Sequence, residues 1–303
     1  MRATIAVVGM GGIGSVMAAS LCAADRHEVV ACARRPIDRL ILERPETTVE
    51  VAPRCLTDAA RATPVDWVFL ATKAHQTPSC ADWLARLCRP GTRVVVLQNG
   101  IDHARRVGPC APGARVVPTV VYYNGERLGA GRVRFRHVTD HELAAPDDAD
   151  GRALVELLDG TRLGVLLTAD FATLSWRKLL INAVANPITA LTLQRQTVLR
   201  RADVLALCRA VLEEAVAVAR AERVALALDE VDATLAILLT YPTEAGTSML
   251  FDRMAGRALE IEALTGAIVA AGERHGVATP LNRALLTLLR AVSDTPRAID
   301  QPA

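Results

Sequence analysis

The sequence predicts an α/β N-terminal half and an all-α C-terminal half, and three observations support this division. Short apolar runs rich in β-branched residues alternate with helix-like stretches in the first half. A glycine-rich turn directly follows the first of these runs. After Thr168, long amphipathic stretches succeed one another with almost no strand-like run. We therefore expect domains spanning residues 1–168 and 169–303, joined within Thr161–Asp170.

The predicted strands of the first half are near-continuous apolar runs, which are typical of a parallel sheet covered by helices on both faces. They are Thr4–Val8, Val29–Ala33, Trp67–Ala71, Arg93–Leu97 and Val116–Tyr123. Helical spacing between them predicts helices within Ser15–Ala24 and Ser79–Cys88.

Three further segments complete the expected organisation. Arg132–Val138 alternates arginine with apolar side chains, which predicts a solvent-facing edge strand. Ala144–Gly151 contains Pro146 and three aspartates, which predicts a loop. In the second half, Val204–Ala221 predicts an amphipathic helix, and the polar tail beyond Ser293 is expected to be frayed.

The charge balance argues against a dedicated nucleic-acid binder. The 303 residues carry 35 basic and 33 acidic side chains, a formal net charge of +2, whereas such binders show a strong basic excess. Hydrophobic residues make up 51% of the chain, which is ample for a buried core and excludes a disordered chain.

The cysteines and the N-terminus favour a soluble, cytoplasmic protein. The seven cysteines are scattered without a C-x-x-C pair, so neither a disulfide framework nor a metal site is expected. The uncharged stretch between Arg2 and Asp25 could pass for a secretion signal, but four glycines break it and a strand-like run follows. No other segment approaches the roughly 20 uninterrupted apolar residues of a membrane span.

The glycine-rich turn, Gly9-Met10-Gly11-Gly12-Ile13-Gly14, matches the pattern G-x-G-x-x-G between a predicted strand and a predicted helix. In such turns the first glycine permits the tight bend, the second lets the backbone approach a pyrophosphate, and the third allows close packing of helix on strand. The helix N-terminus then holds the phosphates. The sequence therefore predicts a Rossmann-type dinucleotide-binding domain, the alternative being a purely structural glycine turn.

The end of the second predicted strand favours NADP over NAD. NAD-preferring sites usually place an acid there to bond the ribose 2′-hydroxyl. Here Arg34 and Arg35 stand instead, and a guanidinium can pair with a 2′-phosphate. The abundance of arginine throughout the chain is the competing explanation.

Lysine is rare, because only Lys73 and Lys178 among the 35 basic residues are lysines. The two are candidates for positions that arginine cannot fill, with chance survival as the alternative. Lys178 is followed by Asn182 and Asn186 at intervals of four, so all three project from one face of a predicted helix. Asparagine is unfavourable inside helices and the chain has only five, which indicates a functional face or a buried structural polar network.

A second polar cluster follows the sequence Tyr241-Pro242-Thr243, which marks a helix start or a bend. Ser248, Asp252 and Glu260 are expected on one slowly drifting stripe of a helix. The alternative is that the two acids are ordinary exposed charges.

Several motifs occur in a fixed order between Thr4 and about Leu288. They are the glycine turn, Thr72-Lys73-Ala74-His75-Gln76, Gln98-Asn99-Gly100, the Lys178/Asn182/Asn186-Pro187 helix, Ser248-Met249 with Asp252, and Glu260-Ile261-Glu262. This ordered set resembles that of the ketopantoate reductase (2-dehydropantoate 2-reductase) family. The glycine turn alone is generic, whereas the whole set at these spacings is specific.

The resemblance implies a role for each matching residue. Lys178 corresponds to the general acid, and Glu260 to a carboxylate near cofactor and substrate that is grouped with the catalytic residues. Substrate contacts are implied at Asn99, Asn182, Asn186, Gln196 and Ser248. Cofactor contacts are implied at the glycine turn (Gly9, Met10, Gly11, Gly12, Ile13, Gly14), Arg34, Lys73, Asn99, Asn124 and Glu260. The implied fold is a Rossmann domain joined to an all-helical domain.

The sequence departs from the family pattern at Tyr122-Tyr123, where the family usually has small residues, and at Gln196, where an asparagine is common. The tyrosines either reshape the nicotinamide pocket or pack beneath the sheet edge.

We expect NADPH-dependent reduction of a 2-oxo acid, with 2-dehydropantoate (ketopantoate) as the leading substrate and pantothenate biosynthesis as its setting. One alternative is a reductase of another bulky 2-oxo acid in specialised metabolism. A different class is an NADPH-sensing binding protein without catalysis. The expected partner is a small-molecule substrate, with a homodimer possible and neither nucleic acid nor membrane involved.

Overall fold

The structure is a computed structural model that describes residues 2–294. The chain divides between Phe171 and Ala172 into two compact units, here called the first and the second unit. The tail that the sequence predicts to be frayed lies outside the described residues from Thr295 onward.

The first unit is built around β-strands. The strands are β1 (Thr4–Val8), β2 (Glu28–Cys32), β3 (Leu40–Glu43), β4 (Thr48–Val51), β5 (Arg54–Leu56), β6 (Trp67–Leu70), β7 (Arg93–Val96), β8 (Arg115–Pro118), β9 (Val120–Val121), β10 (Asn124–Gly129), β11 (Arg132–Arg136), β12 (Leu143–Pro146) and β13 (Val165–Thr168). The helices of this unit are α1 (Gly12–Ala24), α2 (Ala81–Leu87), α3 (His103–Val107) and α4 (Ala149–Leu158).

Six of these strands form the main sheet, which is parallel in the order β5-β2-β1-β6-β7-β8. The prediction of an α/β first half with a parallel sheet is thereby confirmed. The chain leaves β1 for β2 on one side and later crosses to β6 on the other side. The carboxyl end of β1 is therefore a topological switch point, where open α/β sheets bind ligands.

Burial on both faces explains why the central strands read as continuous apolar runs. In β1, Ile5 and Val7 face a core shared with α1, whereas Ala6 and Val8 face a second core shared with α2. Because successive side chains of a strand point to opposite faces, each of these residues is fully or almost fully buried.

A second sheet has the order β10-β11-β3-β4 and corrects one expectation. The arginine-rich segment is not an edge strand, because β11 lies between β10 and β3 and pairs with both. Its alternation reflects one exposed face, on which Arg134 pairs with Glu43 at 3.0 Å and Arg136 pairs with Glu126 at 2.6 Å. The opposite face buries Phe135 in the core.

The prediction of a loop at residues 144–151 is wrong. Leu143–Pro146 forms β12, which pairs with β13 and β9 in a third sheet. Helix α4 begins directly afterwards, where the Asp148 carboxylate accepts hydrogen bonds from the Asp150 and Gly151 amides at 3.0 and 2.8 Å. Among the aspartates that suggest a loop, Asp148 is thus a helix N-cap and Asp150 lies in the first turn of the helix. The predicted strand Val116–Tyr123 is also interrupted, forming β8 and β9.

Helices make up the second unit, and the part of it that the structure describes contains no β-strand. They are α5 (Phe171–Thr192), α6 (Ala202–Ala221), α7 (Glu230–Thr240), α8 (Ser248–Met254), α9 (Thr265–His275) and α10 (Pro280–Asp294). The all-helical prediction is confirmed, and in α6 the predicted apolar face, including Cys208 and Leu212, is buried. Within residues 2–294, no helix combines the length and apolar character that a membrane crossing requires.

Candidate active site

The predicted cofactor residues of the first unit follow the carboxyl ends of neighbouring parallel strands. The glycine turn follows β1, Arg34 follows β2, Lys73 follows β6 and Asn99 follows β7. Since these ends share one edge of the main sheet, the fold brings together residues that are far apart in sequence.

Two glycines of the turn are required by their surroundings. Gly9 has φ +98°, and a Cβ there would lie 2.6 Å from the Thr72 Cγ2 atom and 2.8 Å from the Thr72 amide nitrogen. A Cβ on Gly14 would overlap the Gly9 carbonyl oxygen. These contacts explain the first and last glycines of the motif as requirements of the turn itself.

The middle of the turn behaves differently, because a Cβ built on Gly11 would meet no atom within 4 Å among the described residues. Gly11 is also the N-cap of α1, and the first turn of that helix carries no acidic residue. The open space and the free N–H groups of the helix start suit a bound pyrophosphate. The glycine turn therefore fits a dinucleotide.

Lys73 and Asn99 are held by the strand ends that precede them. The Lys73 amide donates to Gln76 Oε1 at 3.3 Å, and Lys73 is partly buried. The Asn99 carbonyl accepts a hydrogen bond from Arg106 at 3.2 Å. Beside it, the Gln98 side-chain amide donates to Thr72 Oγ1 at 3.1 Å, which ties the end of β7 to that of β6. Arg34 is exposed.

Tyr123 packs in the core beneath the glycine turn. For this tyrosine, the structure therefore favours the packing alternative over a change in the shape of the nicotinamide pocket. Its ring is buried and its hydroxyl donates to the Ile13 carbonyl at 3.0 Å. Burial raises the pKa of this hydroxyl well above its ordinary value. Two residues later, Gly125 lies so close to Gly12 that a Cβ on Gly12 would overlap its carbonyl. Asn124, between them, is exposed.

The predicted helix face of the second unit lies on α5. Lys178 and Asn182 are partly buried and Asn186 is buried, while Leu180 between them is fully buried. The Asn186 Oδ1 atom has no hydrogen-bond partner within the described residues. A buried acceptor without a partner is costly in a purely structural network, so it favours a ligand-binding role for this face.

Glu260 is buried and acts on Lys178 through its charge. Burial lowers the pKa of the Lys178 ammonium from its ordinary 10.5 to about 8, and the Glu260 carboxylate opposes this fall. An amine with such a pKa can release a proton near neutral pH, whereas an arginine stays protonated.

The expectation that Glu260 shares a helical stripe with Ser248 and Asp252 is wrong. Helix α8 ends at Met254, Gly256 adopts φ +58°, and the chain reverses. The Arg257 Nε atom donates to the buried Asp252 carboxylate at 2.8 Å, which holds this reversal. Glu260 therefore comes from the segment before α9, and its burial also excludes an ordinary exposed charge.

The segment before α8 contacts Gln196 and leads into Ser248. Ser248 is the exposed first residue of α8, and the Thr247 hydroxyl caps that helix by accepting from the Leu250 amide at 3.1 Å. The Gln196 backbone N–H donates to the Ala245 carbonyl at 3.0 Å. Residues 241–243 form a bend after α7. Gln196 is buried, and its Oε1 atom lacks a partner within residues 2–294.

A glycine turn of this geometry, at the switch point of a parallel sheet, places the first unit in the Rossmann class of dinucleotide-binding domains. Two family descriptions match the chain. "Ketopantoate reductase PanE/ApbA" matches residues 5–147, and "Ketopantoate reductase PanE/ApbA C terminal" matches residues 170–293.

Individual relatives agree with these matches. The 2-dehydropantoate 2-reductase of Mycobacterium tuberculosis is 39% identical over 298 residues, covering 98% of this chain and 100% of the relative. The structure resembles a PanE/ApbA family ketopantoate reductase from Ralstonia eutropha JMP134, with a TM-score of 0.86, 30% identity, and coverage of 96% of this chain and 98% of that one. It also resembles a dimeric ketopantoate reductase from Staphylococcus aureus, with a TM-score of 0.83, 27% identity, and coverage of 96% and 98%. The chain belongs to the ketopantoate reductase family, which is a family of oxidoreductases.

Proposed function

We propose that the protein reduces 2-dehydropantoate to pantoate with NADPH, and that Lys178 is the proton donor. The observation that carries this proposal is the lowered pKa of Lys178, about 8, set by burial beside the Glu260 carboxylate. The choice of substrate is supported by relatives that are 2-dehydropantoate 2-reductases, among them the Mycobacterium tuberculosis enzyme that is 39% identical.

In the proposed reaction, Lys178 donates a proton and Glu260 favours its reprotonation. When bound, NADPH supplies the hydride that adds to C2 of the 2-oxo acid. Lys178 Nζ gives one proton to the C2 oxygen as alkoxide charge develops, so that the product carries a hydroxyl group. Lys178 is then neutral and regains a proton from water before the next turnover. Glu260 favours this reprotonation, because its carboxylate raises the pKa of Lys178.

Substrate binding is assigned to amide and hydroxyl groups. The Asn186 and Gln196 oxygens are buried without a partner among the described residues, so they can accept hydrogen bonds from the substrate. Asn182 lies one turn before Asn186 on α5, and Ser248 begins α8. Asn99, which follows β7, is also proposed as a substrate contact.

Cofactor binding is assigned to the first unit, with residues 1–168 as the NADP-binding domain and residues 169–303 as the substrate and catalytic domain. The turn from Gly9 to Gly14 would hold the pyrophosphate, with Arg34 pairing with the 2′-phosphate and Lys73 contacting phosphate or ribose oxygens. Asn124 completes the proposed contacts of the first unit, and Glu260 is proposed as a cofactor contact from the second unit.

The decisive experiment follows the loss of NADPH absorbance with 2-dehydropantoate and a panel of other 2-oxo acids. Lys178→Arg keeps the charge but removes the proton donor, so we expect a loss of roughly 10²–10⁴ in rate. Lys73→Arg is the matched control, since it keeps a cation where no proton is released, and should be milder. Equal losses in the two variants would contradict the proton-donor role.

The same assay separates the competing functions. If another bulky 2-oxo acid is turned over faster than 2-dehydropantoate, that acid is the better candidate for the substrate. Tight NADPH binding without turnover of any 2-oxo acid would favour an NADPH-sensing protein.

We also propose a cytoplasmic homodimer. The seven cysteines are free thiols within the described residues, which fits a reducing compartment. A dimeric relative, the Staphylococcus aureus enzyme, matches 96% of the chain. Light scattering on the purified protein tests the dimer, and a monomer mass would contradict it.

A further inference from the structure

Two buried threonines join the helix that carries Lys178 to the helix that begins with Ser248. Thr189 on α5 is 0% exposed, and its Oγ1 atom lies 2.7 Å from Oγ1 of Thr247, the N-cap residue of α8. The two residues are 58 positions apart in sequence. The contact is therefore a tertiary one.

The proton positions of this contact follow from the other partners. Thr189 Oγ1 lies 2.6 Å from the Ala185 carbonyl, which can only accept, so the Thr189 hydroxyl donates there. Its lone pair then accepts from the Thr247 hydroxyl, and Thr247 Oγ1 accepts from the Leu250 amide at 3.1 Å. The result is a continuous chain of hydrogen bonds from the first turn of α8 to the backbone of α5. Such chains strengthen each member in a buried site.

This chain of hydrogen bonds lies next to two proposed substrate contacts in the sequence. Thr247 directly precedes Ser248, and the Ala185 carbonyl directly precedes Asn186. A second tie holds the other end of α8, where Arg253 donates to the Ala190 carbonyl and, at 2.9 Å, to the Leu191 carbonyl.

The backbone of α5 needs such support at this point. Pro187 lies inside the helix and has no N–H group, so it cannot donate to the Ala183 carbonyl as a helical residue would. The turn Ala183–Pro187, directly before Thr189, therefore has one backbone hydrogen bond fewer than an uninterrupted helix has.

We propose that Thr189 is a positioning residue that sets Ser248 relative to Asn186 through the hydroxyl of Thr247. This inference rests on the proposed function, because it treats Ser248 and Asn186 as substrate contacts. Loss of these hydrogen bonds should weaken binding of the 2-oxo acid equally in the ground state and in the transition state. The KM for the 2-oxo acid should therefore rise with little change in kcat.

The test compares three variants in the purified full-length protein. Thr189→Val removes the hydroxyl at nearly constant shape, and we expect KM for 2-dehydropantoate to rise roughly 3- to 10-fold, the worth of one buried hydrogen bond. Thr189→Ser restores a hydroxyl and should return KM to within about twofold of the wild-type value. The dissociation constant for NADPH should stay unchanged in all variants.

Thr192→Val is the matched control. Thr192 is exposed on the same helix and donates the same kind of bond, to the Ile188 carbonyl at 2.7 Å, without a hydrogen bond to α8 among the described residues. Amide hydrogen exchange at Leu250, measured without substrate, should accelerate in Thr189→Val and not in Thr192→Val.

Equal KM values, or equal exchange at Leu250, in Thr189→Val and Thr192→Val would overturn the inference. A wild-type protein without turnover of any 2-oxo acid would instead contradict the proposed function. In that case the exchange at Leu250 still decides whether the hydroxyl chain holds α8.

Discussion

Replacing Glu260 with glutamine should move the alkaline limb of the pH–activity profile to lower pH. In the proposed mechanism the protonated form of Lys178 donates the proton, and its pKa of about 8 reflects burial opposed by the Glu260 carboxylate. A group with a lowered pKa loses its proton earlier as the pH rises. Activity in the direction of reduction should therefore fall as the pH passes through about 8 in the wild-type protein.

The size of the effect follows from the titration. With a pKa of about 8, about nine-tenths of Lys178 is protonated at about pH 7, and each further pH unit above 8 lowers the protonated fraction about tenfold. Glutamine at position 260 keeps the shape of the side chain but removes the charge that favours the ammonium. A nearby opposite charge typically moves a pKa by about one unit or more, so we expect the limb to shift by about one pH unit.

The assay is kcat/KM for 2-dehydropantoate at saturating NADPH, measured from about pH 6 to about pH 10. Glu262→Gln is the control, because Glu262 is exposed, lies two residues away, and pairs with Arg290 at 2.8 Å. It should leave the limb in place. If Glu260→Gln and the wild type share one alkaline limb, Glu260 does not set the pKa of Lys178.

Three further outcomes are expected. Lys178→Met should raise the free energy of unfolding at pH 7 by up to about 3 kcal/mol, because the fall of the Lys178 pKa from 10.5 to about 8 is a cost of that size to the folded state. Urea titrations should show this gain disappearing as the pH rises from about 8 to 10.5, and an unchanged stability at pH 7 would contradict it. Arg34→Ala should weaken NADPH binding about tenfold or more and NADH binding little, measured by fluorescence titration, and equal losses would contradict a 2′-phosphate contact. Tyr123→Phe, which removes the bond to the Ile13 carbonyl, should weaken NADPH binding about 2- to 10-fold while leaving KM for the 2-oxo acid unchanged, a split that a general loss of folding would not produce.

Features that depend on neighbouring residues were predictable from the sequence. The strand Thr4–Val8 has its predicted bounds, and the glycine turn and the helix after it follow as expected. The face formed by Lys178, Asn182 and Asn186 needs only the helical repeat. These features were within reach because strand alternation, helical periodicity and glycine turns are set within a few residues.

Elements whose role depends on their neighbours in space were not predictable in the same way. The alternation of β11 is the same for an edge strand and for an inner strand with one exposed face, and only pairing with β10 and β3 distinguishes them. The aspartates before α4 are equally typical of a loop and of a helix N-cap, and only the helix that follows them distinguishes the two.

The sequence by itself determined the division into an α/β and a helical half and the glycine turn after the first strand, and it singled out Lys178 as the proposed proton donor. The tertiary structure alone decided that Glu260 reaches Lys178 from outside α8, that Tyr123 supports the turn at Ile13, and that Thr189 meets Thr247. The last two contacts join residues 110 and 58 positions apart. No local pattern encodes such pairs, because packing of whole strands and helices determines which distant side chains meet.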